Sequence, residues 1–371
     1  MDGFLLDRGF QVLLTAYPEA QQMLDYGALD LHPFEPGALV RHGGKFQRLV
    51  DPWRRPRHLL ATAFSSVGTL GDKLRIAGLR RRVGRFTLEE LYERPEQTTA
   101  ERLRDEGFST RIIERFFRPF LGGVFLDRDL ETSSRLFAFV FRMFASGDAV
   151  LPSQGMGAMA RQLAERLPPG TVCTNSAVAR LEEHGVHLAD GRQLSGKAVV
   201  VATESPAAAN LLGEPQPPAG RSVTCLYFAA ERPPLDEPIL VLNGEGLGVV
   251  NNLCVPSLVS STYAPPGAAL VSATVLGIPA IDDHHLESSV LQQLQEWFGN
   301  QVQTWRHLRT YRIPFALPAQ SPPALSPVAK SPRKRDGIWL CGDYLDTASI
   351  QGAMVSGRRA AEEILSTQAV E

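Results

Sequence analysis

Apolar and polar positions along this chain follow more than one period, and the places where the period changes mark its organisation. Residues 1–15 hold only short apolar pieces. Residues 52–147 are rich in arginine and phenylalanine at helical spacings, and "TTAERLRDEGF" reads as a helix starting at Thr98 or Thr99, so a mainly helical block is expected. From Gly155 the texture becomes one helix, "MGAMARQLAERL", followed by the strand-like runs "TVCTNSAVARLEE", "GVHLADGRQL" and "KAVVVAT". Alternation ahead of Asp190-Gly191 makes that pair a hairpin turn. Residues 221–313 give strands around a single helix, "HHLESSVLQQLQEWFG". The uncharged stretch 246–281 has the length of a membrane span, yet Asn251, Asn252, Pro256, Pro265, Pro266 and Gly267 interrupt it. Two strands, about Gly248–Val255 and Ala268–Leu276, explain it better. A Pro/Ser-rich connector, "LPAQSPPALSPVAKSPRKRDG", leads to a final strand and helix.

That last part, "GIWLCGDYLDTASIQGAMVSGRRAAEEIL", carries the clearest chemistry. Ile338, Trp339, Leu340 and Cys341 suit a buried strand, which Gly342-Asp343 ends with a turn. After the loop from Tyr344 to Gln351, the small residues Gly352, Ala353, Ser356, Gly357, Ala360 and Ala361 recur at helical spacing, and Ile364 and Leu365 close an apolar face. A helix start offers unpaired N–H groups and a partial positive charge, suited to a phosphate or an electron-rich ring edge. Gly352 removes the side chain that would block such an approach. A small-residue helix packed on a sheet has the same pattern.

Composition adds limits. At 371 residues there is material for roughly two domains. A formal net charge of −2 and a pI near 6.5 argue against a nucleic-acid partner. The four cysteines, Cys173, Cys225, Cys254 and Cys341, lack metal or disulfide spacing and read as reduced, mostly buried thiols of a cytoplasmic protein. The acids of "MDGFLLDRGF" do not suit a secretory leader. The eight histidines show no metal-ligand pattern, and His284-His285 fit a solvated helix start. Phenylalanines at 137, 139, 141 and 144 cover more than one helical face; plain core is expected, with an apolar substrate tunnel as the alternative. Arg54, Arg55, Arg57, Arg75, Arg80, Arg81, Arg82 and Arg85 crowd the segment 53–85 beside Trp53. A solvated helical face is expected there, with peripheral contact to anionic lipid as the functional alternative. "QGMGAMARQLAERL" matches the dinucleotide fingerprint formally through Gly155, Gly157 and Ala160, but Pro152 stands where a buried strand is needed. Glu182 and Glu183 come late for the ribose acid.

The order of "DGFLLDRGFQVL", "RPFLGGVF", "LPSQGMGAMARQLAERL", "NSAVARLEE", "DGRQLSGKAVVVAT" and "CGDYLDTASIQGAMVSGRRAAEEI" resembles the flavin-containing amine oxidase superfamily, which includes protoporphyrinogen oxidases and phytoene-desaturase-like proteins. The resemblance implies an α/β fold: an FAD/NAD(P)-binding Rossmann-like domain from residues 1–16, 149–212 and 334–371, and an α+β substrate domain from 17–148 and 213–333. The two substrate pieces are expected to meet as helices over an antiparallel sheet. In that superfamily a segment like Asp2 to Phe10 follows a β-α-β unit whose turn holds the FAD pyrophosphate. Here it begins at residue 2, so the Rossmann-like domain is expected to be incomplete at its N-terminus and the chain truncated. By the same resemblance Gly342 and Asp343 lie beside the ribityl and pyrophosphate portion, and Gln351, Gly352, Ala353 and Met354 face the flavin pyrimidine ring. Val178 meets adenine, Gly9 and Phe10 pass near the isoalloxazine, and Phe315, Leu317 and Pro318 wall the substrate side. Val178 reads equally as an ordinary strand valine, and "DRGF" as a tight turn. The implied activity is FAD-dependent oxidation of a small apolar or amine molecule; the alternative is a non-catalytic remnant of the fold that binds a partner. No catalytic side chain, substrate identity or oligomeric state is legible.

Overall fold

The computed structural model describes residues 1–50, 54, 65–182, 184–217 and 220–368. Trp53, Arg55, Arg57 and Glu183 lie outside the described residues. At the centre is a seven-stranded sheet in the order Arg306–Leu317, Arg221–Ala230, Ala269–Leu276, Asn252–Cys254, Leu240–Asn243, Gly37–His42 and Lys45–Val50. Every neighbouring pair is antiparallel except Leu240–Asn243 with Gly37–His42. Strands therefore come from both 17–148 and 213–333.

This sheet is covered on both faces, which is why its middle strands read as near-continuous apolar runs. Side chains alternate across a strand. Leu226 and Phe228 face one way, with Val271, Ala273 and Val275, under the helix Asp283–Phe298. Leu286, Val290, Leu294 and Trp297 of that helix, spaced at four, four and three, form its buried stripe. Cys225 and Tyr227 face the other way, into the helical block with Phe117, Leu121, Phe137 and Phe139. The helices Leu70–Arg85, Leu88–Tyr92 and Thr99–Asp105 each start at a threonine, Thr69, Thr87 or Thr98, in a capping box closed by Asp72, Glu90 or Glu101. Such caps are typically worth about 1 kcal/mol each.

A second, smaller sheet pairs Val199–Val201 in parallel with Ile338–Leu340, and Arg333–Arg335 flanks the latter antiparallel. The helix Ser205–Leu212 packs on it through Ala208, and the final helix, Ile350–Gln368, follows it in the chain. A third unites Leu13–Leu14, Ala149–Pro152 and Leu31–Pro33, and the hairpin expected at Asp190-Gly191 joins Gly185–Leu188 to Gln193–Ser195, with Gly191 at φ 89°.

Several sequence expectations need correction. The strand expected from Gly248 forms only at Asn252–Cys254, because the amides of Val249 and Val250 both donate to the buried Gln293 Oε1 at 2.8 Å. Leu365 points to solvent and closes no apolar face. Cys173 is exposed, unlike Cys225 and Cys254. The formal fingerprint near Gly155 follows an antiparallel strand, Ala149–Pro152, and the amide of Met156 donates to Asp7 Oδ1 at 2.9 Å. It is a turn that ties down the N-terminal segment.

Candidate active site

A cavity of about 660 Å³ lies between the two sheets. Its first wall is the N-terminal segment Arg8–Val12. Tyr227 of the large sheet donates its hydroxyl to the Gly9 carbonyl at 3.2 Å, and Tyr263, from the short turn Ser261–Tyr263, donates to Asp7 Oδ2 at 2.8 Å, so two tyrosines hold the segment in place. Burial pushes the Asp7 carboxyl above its usual range, against the lowering effect of the Tyr263 and Met156 hydrogen bonds. At Gly9, φ is 87°, so the residue needs glycine's backbone freedom; an added Cβ would meet only the tip of the Ile313 side chain, at 2.9 Å.

Asp343, Ala348, Ser349, Ile350 and Ala353 form the second wall, where the last strand turns into the last helix. Polar side chains from distant elements pin this loop. Gln320 Oε1 accepts from the Ala348 amide at 2.8 Å, and its Nε2 donates to the Asp346 carbonyl at 2.7 Å. Gln351 turns away from the cavity, where its Oε1 accepts from the Glu19 amide at 2.9 Å. The Gly342 amide donates to Ser356 Oγ at 3.0 Å. In the first turn of Ile350–Gln368, Ser349 takes up the amides of Gly352 and Ala353. Those of Ile350 and Gln351 have no hydrogen-bond acceptor among the described residues, as expected at a helix start. Asp343 is pushed up to about 6, chiefly by burial, with the Tyr344 amide opposing the shift and Glu204 adding to it.

The third wall is the end of the long strand, Ile313 to Leu317, with Val223 and Leu240. The fourth is mainly helical: Pro119, Phe120, Gly123 to Leu126, Val140 and Phe144, with Tyr17 beside them. A π-helical turn, Ile113–Phe117, feeds the helix Arg118–Phe125 into this wall and stacks Phe116 on Phe120 with centroids 5.3 Å apart.

Of the residues singled out from sequence, Gly9, Phe10, Asp343, Ala353, Phe315 and Leu317 line one cavity. Pro318 follows the lining run, Gly342 lies behind Asp343, and Met354 packs into the main core. Val178 is on a different sheet and 36 % exposed. Gly352 is buried, and a Cβ there would lie 2.0 Å from the Thr347 carbonyl oxygen. The close approach that requires glycine is therefore made by the chain's own backbone. The phenylalanine helix, Ser134–Ser146, serves both purposes: Phe137 and Phe139 are core, while Phe144 lines the cavity. Tyr17, Gln320 and the wall Pro119–Leu126 were missed, since no local pattern distinguishes them from packing residues.

Comparison with known proteins completes the picture. Residues 1–365 match the family of flavin containing amine oxidoreductases. Among curated proteins none matches the sequence. The fold is similar to that of a protein assigned as a protoporphyrinogen oxidase from Exiguobacterium sp. 255-15, with 16% identity, a TM-score of 0.69, and coverage of 98% of this chain and 88% of that one. Putrescine oxidase bound to putrescine is similar at 14% identity and a TM-score of 0.70, covering 99% of this chain and 89% of that one. Reduced UDP-galactopyranose mutase gives 14%, 0.64, 99% and 86% for the same quantities. At these identities the likeness is one of fold.

Proposed function

The chain belongs to the flavin containing amine oxidoreductase family, and from that premise we propose that it is an FAD-dependent oxidoreductase acting on a C–H bond of a small apolar or amine substrate. The observation that carries this is the asymmetry of the cavity. One wall offers a desolvated carboxyl and helix-start amides; the facing walls are Phe315, Leu317, Phe120 and Phe144. A buried carboxyl at a cavity, with no side-chain donor among the described residues, is complementary to a hydroxylated chain such as ribityl. The amides of Ile350 and Gln351 suit the polar edge of a ring. The residues present thus fit the ring and ribityl end of the cofactor.

When bound, FAD supplies the acceptor for the hydride, chemistry that no side chain of the cavity offers. The protein's part is positioning and electrostatics. The start of Ile350–Gln368 would favour negative charge on a ring edge placed against it, without any proton transfer. Asp343 would orient hydroxyls by accepting their hydrogen bonds. Ile313, Phe315 and Leu317 exclude water and place the substrate carbon. We assign residues 1–16, 149–212 and 334–371 to the cofactor side, supported by the pairing of Val199–Val201 with Ile338–Leu340 and of Leu13–Leu14 with Ala149–Pro152.

The test is titration of the purified protein with FAD, followed by anaerobic addition of a panel of primary amines that includes putrescine, and of a porphyrinogen. A perturbed flavin spectrum and bleaching by one panel member are expected. Binding without bleaching by any member would favour the non-catalytic alternative. An unperturbed spectrum at excess FAD would overturn the cofactor assignment.

A further inference from the structure

We propose that the outer face of the helix Leu70–Arg85 docks on an anionic bilayer surface, with Leu70 and Leu74 entering the headgroup boundary and Arg81 and Arg85 meeting lipid phosphates. At 3.6 residues per turn, Leu70, Leu74, Ala77, Gly78, Arg81 and Arg85 fall on one stripe. Asp72, Leu79 and Val83 occupy the opposite, buried side. Leu70 is 67 % exposed and Leu74 75 %, four residues apart on an ordered helix, so two large apolar side chains stand together in water.

Charge decides what covers them. The helix has six basic residues, Lys73, Arg75, Arg80, Arg81, Arg82 and Arg85, and one acid, Asp72. That acid is buried and committed to Thr69 and Ser109. Arg82 pairs with Glu106, and Arg80 donates to the Ala145 carbonyl. The side chains of Arg75, Arg81 and Arg85 have no ion pair or hydrogen bond among the described residues. In a chain whose formal net charge is −2, this is a local excess of positive charge laid end to end with an apolar patch. A protein partner would have to supply both an acidic and an apolar surface at this spacing; a bilayer with anionic lipid presents both everywhere. No helix among the described residues is long and apolar enough to cross a membrane, so the contact is peripheral.

The position has a consequence for the cavity. Leu70–Arg85 packs on Ser134–Ser146, whose Val140 and Phe144 line the cavity. Docking would hold the cavity one helix away from the lipid, which suits an apolar substrate; that clause alone rests on the function proposed above.

The test uses the full chain and needs no flavin, so its failure is distinct from failure of the cofactor assignment. Sedimentation is measured with phosphatidylcholine vesicles and with vesicles that also contain phosphatidylserine, at low and high salt. Binding is expected only with phosphatidylserine and should weaken with salt. Leu70→Ser with Leu74→Ser should weaken it about tenfold or more. Arg81→Gln and Arg85→Gln should cost about fivefold each. All these side chains face solvent, so the variants should melt as the parent does. As a measurement free of that assumption, an environment-sensitive dye on Leu74→Cys should shift to the blue with anionic vesicles. No binding to anionic vesicles, equal binding to neutral ones, or no effect of either variant pair overturns the proposal. So does a dimer that the leucine variant dissociates with vesicle binding unchanged, which would make this face a contact between copies.

Discussion

The seven-stranded sheet and the small sheet of Val199–Val201, Ile338–Leu340 and Arg333–Arg335 are held together by different physics. The first buries both faces: Phe228, Val271 and Val290 on one side, Tyr227, Phe117 and Phe139 on the other, all almost inaccessible to water. The second has only a small core, Val201, Ala208, Ile338, Leu340 and Leu345; Val200 is well exposed, and the outer edge of Val199–Val201 has no strand partner among the described residues. Its loop from Asp343 to Ser349 is fixed instead by single side chains, Gln320 and Ser356, bonded to backbone groups. Packing spreads its contribution over many contacts, whereas a few directional bonds fix a geometry with little reserve. The cavity takes one wall from each. Its apolar wall is therefore preformed, and its polar wall depends on a handful of residues.

The largest test of this contrast is Phe228→Ala. The ring is fully buried between the sheet and Asp283–Phe298, so its loss should cost about 3–5 kcal/mol in urea unfolding. Retention of parental stability would mean that the large sheet is not the packed core. Next comes Gly352→Ala. The conflict with the Thr347 carbonyl arises at Cβ itself, so alanine should be nearly as damaging as valine, on the order of 3 kcal/mol, and should displace the loop that carries Asp343. An alanine variant that is stable but fails to bind FAD would instead favour the expectation from sequence, that Gly352 only makes room for a ring.

How far the sequence reveals this molecule follows from how local each cause is. The last strand, its Gly-Asp corner and the final helix are legible because apolar run, turn and small-residue period all lie within 337–365. The capping box at Thr98 is equally local. The shortened strand at Asn252 is not, since Gln293, which captures the amides before it, lies more than 40 residues away. Gln320 sits in a connector with no period at all and still organises the polar wall. The helical wall from Pro119 to Leu126 was readable as helix but not as lining, because only the tertiary fold decides which side of it is the cavity. The fold likeness covers nearly the whole chain.

Asp343 gives a smaller and more specific test. Its carboxyl is raised from 3.8 to about 6 in the folded protein, mainly by burial. The folded form holds its proton more tightly than the unfolded chain, so this group's contribution is neutral below about pH 4 and becomes destabilising as pH rises towards 6. Asp343→Asn removes that cost. The variant should match the parent at pH 4 and exceed it at pH 7 by about 3 kcal/mol, while binding FAD less well through loss of an anionic acceptor. A stability difference that did not vary with pH would show that the Asp343 carboxyl is not desolvated. Equal FAD affinity would remove it from the site.

The smallest expected effect probes the open side of the small sheet. Val200→Thr keeps shape and strand preference and changes one methyl to a hydroxyl. At Val200, which is 41 % exposed, the hydroxyl stays hydrated, and the change should fall within about 0.5 kcal/mol. The same change at Val271, fully buried on the large sheet, leaves a hydroxyl to be desolvated and should cost about 1–3 kcal/mol. The pair of variants thus measures burial at matched chemistry in the two sheets. If Val200→Thr cost as much as Val271→Thr, that face of the small sheet would be covered in solution. Repeating the measurement across a range of protein concentrations would then separate two causes. A cost that grew with concentration would mean that copies of the chain associate through this face, and a constant cost would mean that the chain itself covers it.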